Sequence, residues 1–104
     1  TAVPGETAAV VPETFSVEQN YPNPFNSSTV LRYRVPERSA VTIHLYDTRG
    51  RSLGTLLEDY SSPGIHTFTW HGRDARGTDV PSGMYFMEVR CSGSGELIKM
   101  LLVR

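Results

Sequence analysis

The sequence predicts an all-β protein, an antiparallel sandwich of about seven strands. Three observations carry this. Short runs in which apolar and polar residues alternate recur from Phe15 onward. Turn-forming residues separate these runs every eight to twelve positions, the rhythm of a sandwich. No window of eleven or more residues has the apolar spacing of an amphipathic helix.

Residues 1–14 (TAVPGETAAVVPET) are small, proline-containing and aperiodic. That is the texture of a linker or flexible leader, so the folded domain is expected over residues 15–104. Leu31, Tyr33 and Val35 alternate with Arg32 and Arg34, which puts one face in a core and the other in water. Val41, Ile43 and Leu45 do the same against Thr42, His44 and Tyr46. Asp47-Thr48-Arg49-Gly50 suits a type I turn closed by a left-handed glycine, a common hairpin link. Residues 53–60 (LGTLLEDY) are the one ambiguous stretch; Gly54 and the short length favour a strand over a helix. Pro63-Gly64 marks a turn, after which Phe68 and Trp70 alternate with Thr67, Thr69 and His71. Arg76-Gly77 and Ser82-Gly83 are further breaks, followed by Tyr85, Met87, Val89 and Cys91 alternating with Phe86, Glu88 and Arg90. After Ser92-Gly93-Ser94-Gly95 the chain closes on ELIKMLLVR, apolar enough for a last strand covered on both faces.

Composition excludes several functions. Ten basic against eleven acidic residues give a net charge of −1, so no surplus exists for a phosphate-neutralising face, and nucleic acid is not an expected partner. Cys91 is the single cysteine, which rules out an intramolecular disulfide and a thiolate zinc site. Residues 1–14 lack the charged start and apolar stretch of a signal peptide, and a chain starting at Thr1 reads as an excised piece of a longer protein.

Chemistry-bearing residues are few. His66 and His71 are five positions apart and would face opposite sides of one strand, while His44 lies on another strand. Ser82, in Pro-Ser-Gly, lacks the strand-turn-helix elbow that exposes a catalytic serine. Cys91 reads as a small buried hydrophobe, and Tyr33 and Tyr85 as core aromatics whose hydroxyls reach the rim. Asp74 and Asp79, with loop carbonyls, could hold calcium; Arg73 and Arg76 compete for them, and Asp74 equally suits bonding its own turn backbone. Tyr46, Phe86 and Tyr60 are candidates for a sugar-stacking platform. No constellation supports an enzyme, and no cofactor is implied.

The most specific stretch is EQNYPNPFNSST at residues 18–29. Its two prolines cannot belong to a central strand, while Tyr21 and Phe25 are too apolar to leave in solvent. It is expected to be a rigid polyproline-like segment, Tyr21-Pro22-Asn23-Pro24-Phe25, pinned by two aromatic anchors, with Asn20, Asn23 and Asn26 bonding backbone at the bends. This element resembles the opening motif of the C-terminal sorting domains (type A) of type IX secretion cargo in the Bacteroidetes. The likeness continues through Ser28–Val35 and the turn Leu45–Arg51 with its Gly50. It takes in Pro63–His66, Trp70-His71-Gly72-Arg73-Asp74, and Val80–Phe86 with Ser82, Gly83 and Tyr85, and ends at Lys99–Arg104. The pattern is also similar to the immunoglobulin-like domain of flagellar hook-capping proteins. Two departures stand out: His71 where the family usually has Asp, which costs the cation hypothesis a ligand, and Ser27 where Pro is frequent.

The resemblance implies an immunoglobulin-like sandwich joined by a linker to an upstream secreted cargo domain. It implies passage through the periplasm and across the outer membrane by the type IX machinery. A sortase-like cell-surface peptidase then cuts at the linker, or the domain stays attached at the surface. Lys99, Leu101, Val103 and Arg104 on the final strand would carry much of the signal. An end strand offers unpaired backbone groups for strand addition, and could also pair edge to edge with a second copy as a homodimer. The alternative is an accessory carbohydrate- or protein-binding module of a secreted enzyme.

Overall fold

A computed structural model describes residues 14–104, so the expected linker, Thr14 excepted, lies outside the described residues. Seven strands are present: β1 (Ser16–Val17), β2 (Thr29–Val35), β3 (Ser39–Tyr46), β4 (Ser52–Ser61), β5 (Gly64–Trp70), β6 (Gly83–Cys91) and β7 (Ser94–Leu102). They form two sheets, β1-β2-β5 and β4-β3-β6-β7, antiparallel at every pairing. The expected all-β sandwich is therefore observed.

The period-two pattern decides which side of each strand is buried. β2 turns Leu31, Tyr33 and Val35 inward, β3 turns Val41, Ile43 and Leu45, and β6 turns Tyr85, Met87, Val89 and Cys91. Their fully buried side chains interlock between the sheets with Met100 and Leu102 of β7. Cys91 is buried among them, as its alternating position predicts.

β4 explains its own ambiguity. Its register against β3 slips twice, between Ile43 and His44 and between Leu45 and Tyr46, leaving Leu56 and Leu53 without a direct partner. Each bulge shifts the side-chain phase by one, so Leu53, Leu56 and Leu57 all pack against the core despite their helix-like spacing. Gly54 has φ +103, and an added Cβ there would meet the Cβ of Ala75, so glycine is required where the 72–79 loop crosses β4.

The final strand corrects an expectation. It is covered on one face only: Ile98, Met100 and Leu102 are buried, while Leu97 and Val103 are 59% and 50% exposed. β7 ends its sheet, and the opposite sheet covers a single side of it. Met100→Ala is therefore expected to cost about 2–5 kcal/mol in urea denaturation, whereas Leu97→Ala should cost about 0.5 or less. Similar losses for the two would mean that both faces are packed.

Candidate functional site

The segment before β2 and the end of β7 meet along one edge. Phe25, 3% exposed, sends its ring into the core against Trp70, centroids 5.4 Å apart. Its backbone bridges β7 in parallel, the Phe25 N–H donating to the Leu101 carbonyl (3.0 Å) and the Val103 N–H to the Phe25 carbonyl (2.8 Å). The Leu101 N–H donates to Asn23 Oδ1 at 2.9 Å, and Gln19 Nε2 to the Lys99 carbonyl at 2.9 Å. Buried Asn20 donates to Thr29 Oγ1 and to the Pro22 carbonyl, fixing the bend from inside.

This segment differs from expectation in two ways. The Tyr21–Pro22 and Asn23–Pro24 bonds are cis, and the chain makes successive bends rather than a polyproline-like rod. Tyr21 is no anchor: it is 80% exposed, and only its backbone is held, in a bridge to Val30. Asn26 is exposed.

Behind Phe25 the aromatic packing continues from Trp70 to Tyr85, whose rings meet edge-on at 5.6 Å. Trp70 Nε1 donates to the Arg73 carbonyl at 2.8 Å, and the Tyr85 hydroxyl to the Pro81 carbonyl at 2.6 Å, so both polar tips are satisfied at the rim. Burial pushes the Tyr85 phenol above its ordinary 10.0, partly offset by the positive charge of Arg104.

Arg104 closes this corner. Its guanidinium donates to the carbonyls of Val80 (2.7 Å) and Gly72 (2.6 Å), its backbone N–H to Ser82 Oγ (2.9 Å), and Asp79 Oδ1 lies 3.8 Å away. Gly72 sits beneath it at φ +72, where a Cβ would come within 2.7 Å of Arg104 Nη2. The side chain placed among the recognition residues is thus turned back into the domain, and Leu101 is half-buried. Lys99 is exposed and makes no ion pair among the described residues.

Two turns beside this corner repeat one design. In each, an aspartate Oδ1 accepts the N–H groups two and four residues on: Arg49 and Arg51 for Asp47, Arg76 and Thr78 for Asp74. Each also has a left-handed glycine, Gly50 (φ 78) or Gly77 (φ 83), whose N–H returns to the aspartate carbonyl. The shared D-x-R-G spacing shows this only in retrospect, because the two turns join different strand pairs. The structure thus commits Asp74 Oδ1 to its own turn, and Asp79 pairs with Arg73 at 3.2 Å. Among the described residues no group of three or more metal-ligating side chains forms. The Arg51 and Arg49 N–H groups hold the Asp47 carboxyl below its ordinary 3.8, Arg51 more strongly.

The three candidate platform aromatics do not converge. Tyr46 and Phe86 are direct cross-strand neighbours on the outer face of the four-stranded sheet, with His44 against Tyr46 at 4.8 Å. Tyr60 lies on β4 opposite Ala40, its ring under the Arg38 guanidinium at 5.1 Å. The histidines serve locally: His44 bonds Ser52 and Thr55, and His66 meets the Ser62 carbonyl and stacks on Tyr33.

Two measurements check this geometry. Gly72→Ala should cost about 1–2 kcal/mol from its left-handed φ alone, and more when Arg104 is present to be displaced. A cycle with Arg104→Ala should give a coupling of about 1 kcal/mol, and strict additivity would mean that Arg104 does not rest on Gly72. Because folding depresses the Asp47 pKa, its contribution is present above pH 3.8 and lost as pH falls below it. The urea midpoint should therefore fall less between pH 6 and pH 3 (roughly the window set by linkage) in Asp47→Asn than in the parent; equal falls would remove Asp47 from the acid response.

A family model of the FlgD Ig-like domain matches residues 25–95. The basal-body rod modification protein FlgD of Salmonella typhimurium is 40% identical over 55 residues, covering 53% of this chain and 24% of that protein. The chain thus spans about a quarter of the length of this curated relative. Dimeric latent PorU from Porphyromonas gingivalis superposes with a TM-score of 0.69 at 22% identity, over 90% of this chain and 10% of that one. PorZ of the same organism, described as an essential bacterial surface component of the type-IX secretion system, gives 0.54 at 24% identity over 96% and 13%. These two likenesses are of fold. With the family model spanning more than half of its residues, the chain belongs to the FlgD Ig-like domain family.

Proposed function

We propose that this domain is a non-catalytic sorting and surface-attachment module, which directs an upstream cargo across the outer membrane by the type IX machinery. One observation carries the reading. The two stretches most specific in the sequence, around Phe25 and at Lys99–Arg104, are joined to each other by backbone hydrogen bonds. Together they make one continuous edge, along which the side chains of Lys99 and Val103 are exposed. The sandwich likeness to PorZ and PorU agrees with this. In this reading the product is exposed at the cell surface, and a sortase-like peptidase acts at the linker where the domain is removed. The name of FlgD belongs to a protein of which this chain spans 24%, so a flagellar role is not carried over.

Deleting residues 99–104 also removes Met100 and Leu102 from the core, so folding and signalling must be separated. A reporter fused ahead of the full chain, carrying Lys99→Ser with Val103→Ser at exposed positions, should accumulate in the periplasm of a type IX-competent host while the domain stays folded by circular dichroism. Normal surface delivery of that variant and of the truncation would overturn the proposal. The adjacent rings of Tyr46 and Phe86 favour a second reading, a carbohydrate-binding accessory module. Affinity electrophoresis in plant polysaccharides decides it: a sorting domain is not retarded, and retardation abolished by Tyr46→Ala would establish the alternative.

A further inference from the structure

The outer edge of β7 is divided. The carbonyl of Lys99, both backbone groups of Leu101 and the N–H of Val103 point away from β6, and all are bonded by Gln19, Asn23 and Phe25. Strand alternation sends the backbone groups of Gly95 and Leu97, and the Lys99 N–H, to the same side. Among the described residues no strand beyond β7 receives them. Ser94–Leu97 and Lys99 are exposed along this stretch. Leu97 also walls an apolar cleft of about 370 Å³ with Tyr46, Gly50 and Phe86. Beside it, Lys99 projects the chain's one lysine, unpaired among the described residues.

We infer that Gly95–Lys99 is a docking edge for an extended peptide that adds to the sheet as a further strand, carrying an apolar residue and a carboxylate two positions apart. Residues two apart share a face, so one such peptide meets Leu97 and Lys99 together. Main-chain bonds supply the attachment, and the two side chains the selectivity. A second copy does not fit these terms. Antiparallel pairing through the outward groups sets Lys99 against Gly95, Leu97 or another Lys99, and Glu96 falls on the opposite face. The inference gives the sorting reading a partner chemistry, yet it rests on edge geometry that stands without it.

The probe is a fluorescein-labelled seven-residue peptide with leucine, glutamate and leucine at its even positions and threonine between, titrated against residues 1–104 by anisotropy. Saturable binding is expected, weakened at least about tenfold when the glutamate becomes lysine. Lys99→Glu should reverse that preference. Leu97→Pro should abolish binding of both peptides without unfolding the domain, because the lost N–H points away from β6. Absent binding, indifference to the peptide charge, binding that survives Leu97→Pro, or an edge filled by self-association in sedimentation would each overturn the inference. Peptide binding as described with normal export of the Lys99/Val103 variant leaves the inference standing and removes the sorting reading. Export that needs those residues with no peptide binding does the reverse.

Discussion

Phe25 holds the two ends of the fold together. Its ring completes the aromatic packing with Trp70 and Tyr85, while its N–H and carbonyl pair with Leu101 and Val103. One residue therefore fixes both the depth of the segment before β2 and the closure of the last strand. The surrounding features follow from it. Asn23 and Gln19 can cap β7 only because Phe25 has brought the bend alongside it. β7, thus held, delivers Arg104 over Gly72, where a residue with a Cβ would collide.

The polar residues at this end are largely absorbed by the fold. Asp47 and Asp74 each hold a turn closed, Asp79 pairs with arginine, and Arg104 satisfies loop carbonyls. Carboxylates bound by backbone N–H groups and a guanidinium turned inward are poor candidates for ligand chemistry. What the described surface does offer is a short length of open sheet edge and the apolar cleft next to it. Such a surface suits the recognition of main chain and side-chain pattern that we infer for it.

Strands with unbroken alternation were legible from the sequence, because burial on one side imposes period two on β2, β3 and β6. The rest was hidden for identifiable reasons. The leucines of β4 look helical because two bulges re-phase the strand, and bulges have no reliable signature in composition. Tyr21 and Phe25 look equivalent, both aromatic and next to proline, yet one lies in solvent and the other in the core. Leu97, Leu101 and Val103 suggest a strand packed on both sides, although the cover beyond β7 comes from Gln19, Asn23 and Phe25, which bond its edge rather than pack its outer face. At the candidate site, the place of Lys99 on the last strand is legible from its neighbours, whereas the contacts of Arg104 with Val80 and Gly72 cross 24 and 32 positions and no local pattern encodes them.

The segment around Phe25 seals the far half of the β7 edge and, among the described residues, leaves the near half open. Residue-resolved amide hydrogen exchange of the free domain tests this most directly, because it reads each outward N–H separately. Leu101 and Val103 are expected to exchange about as slowly as Met100, whose N–H faces β6, and Leu97 and Lys99 at least about a hundredfold faster. Rapid exchange at Leu101 and Val103, or protection at Leu97 and Lys99 equal to theirs, would contradict this division of the edge.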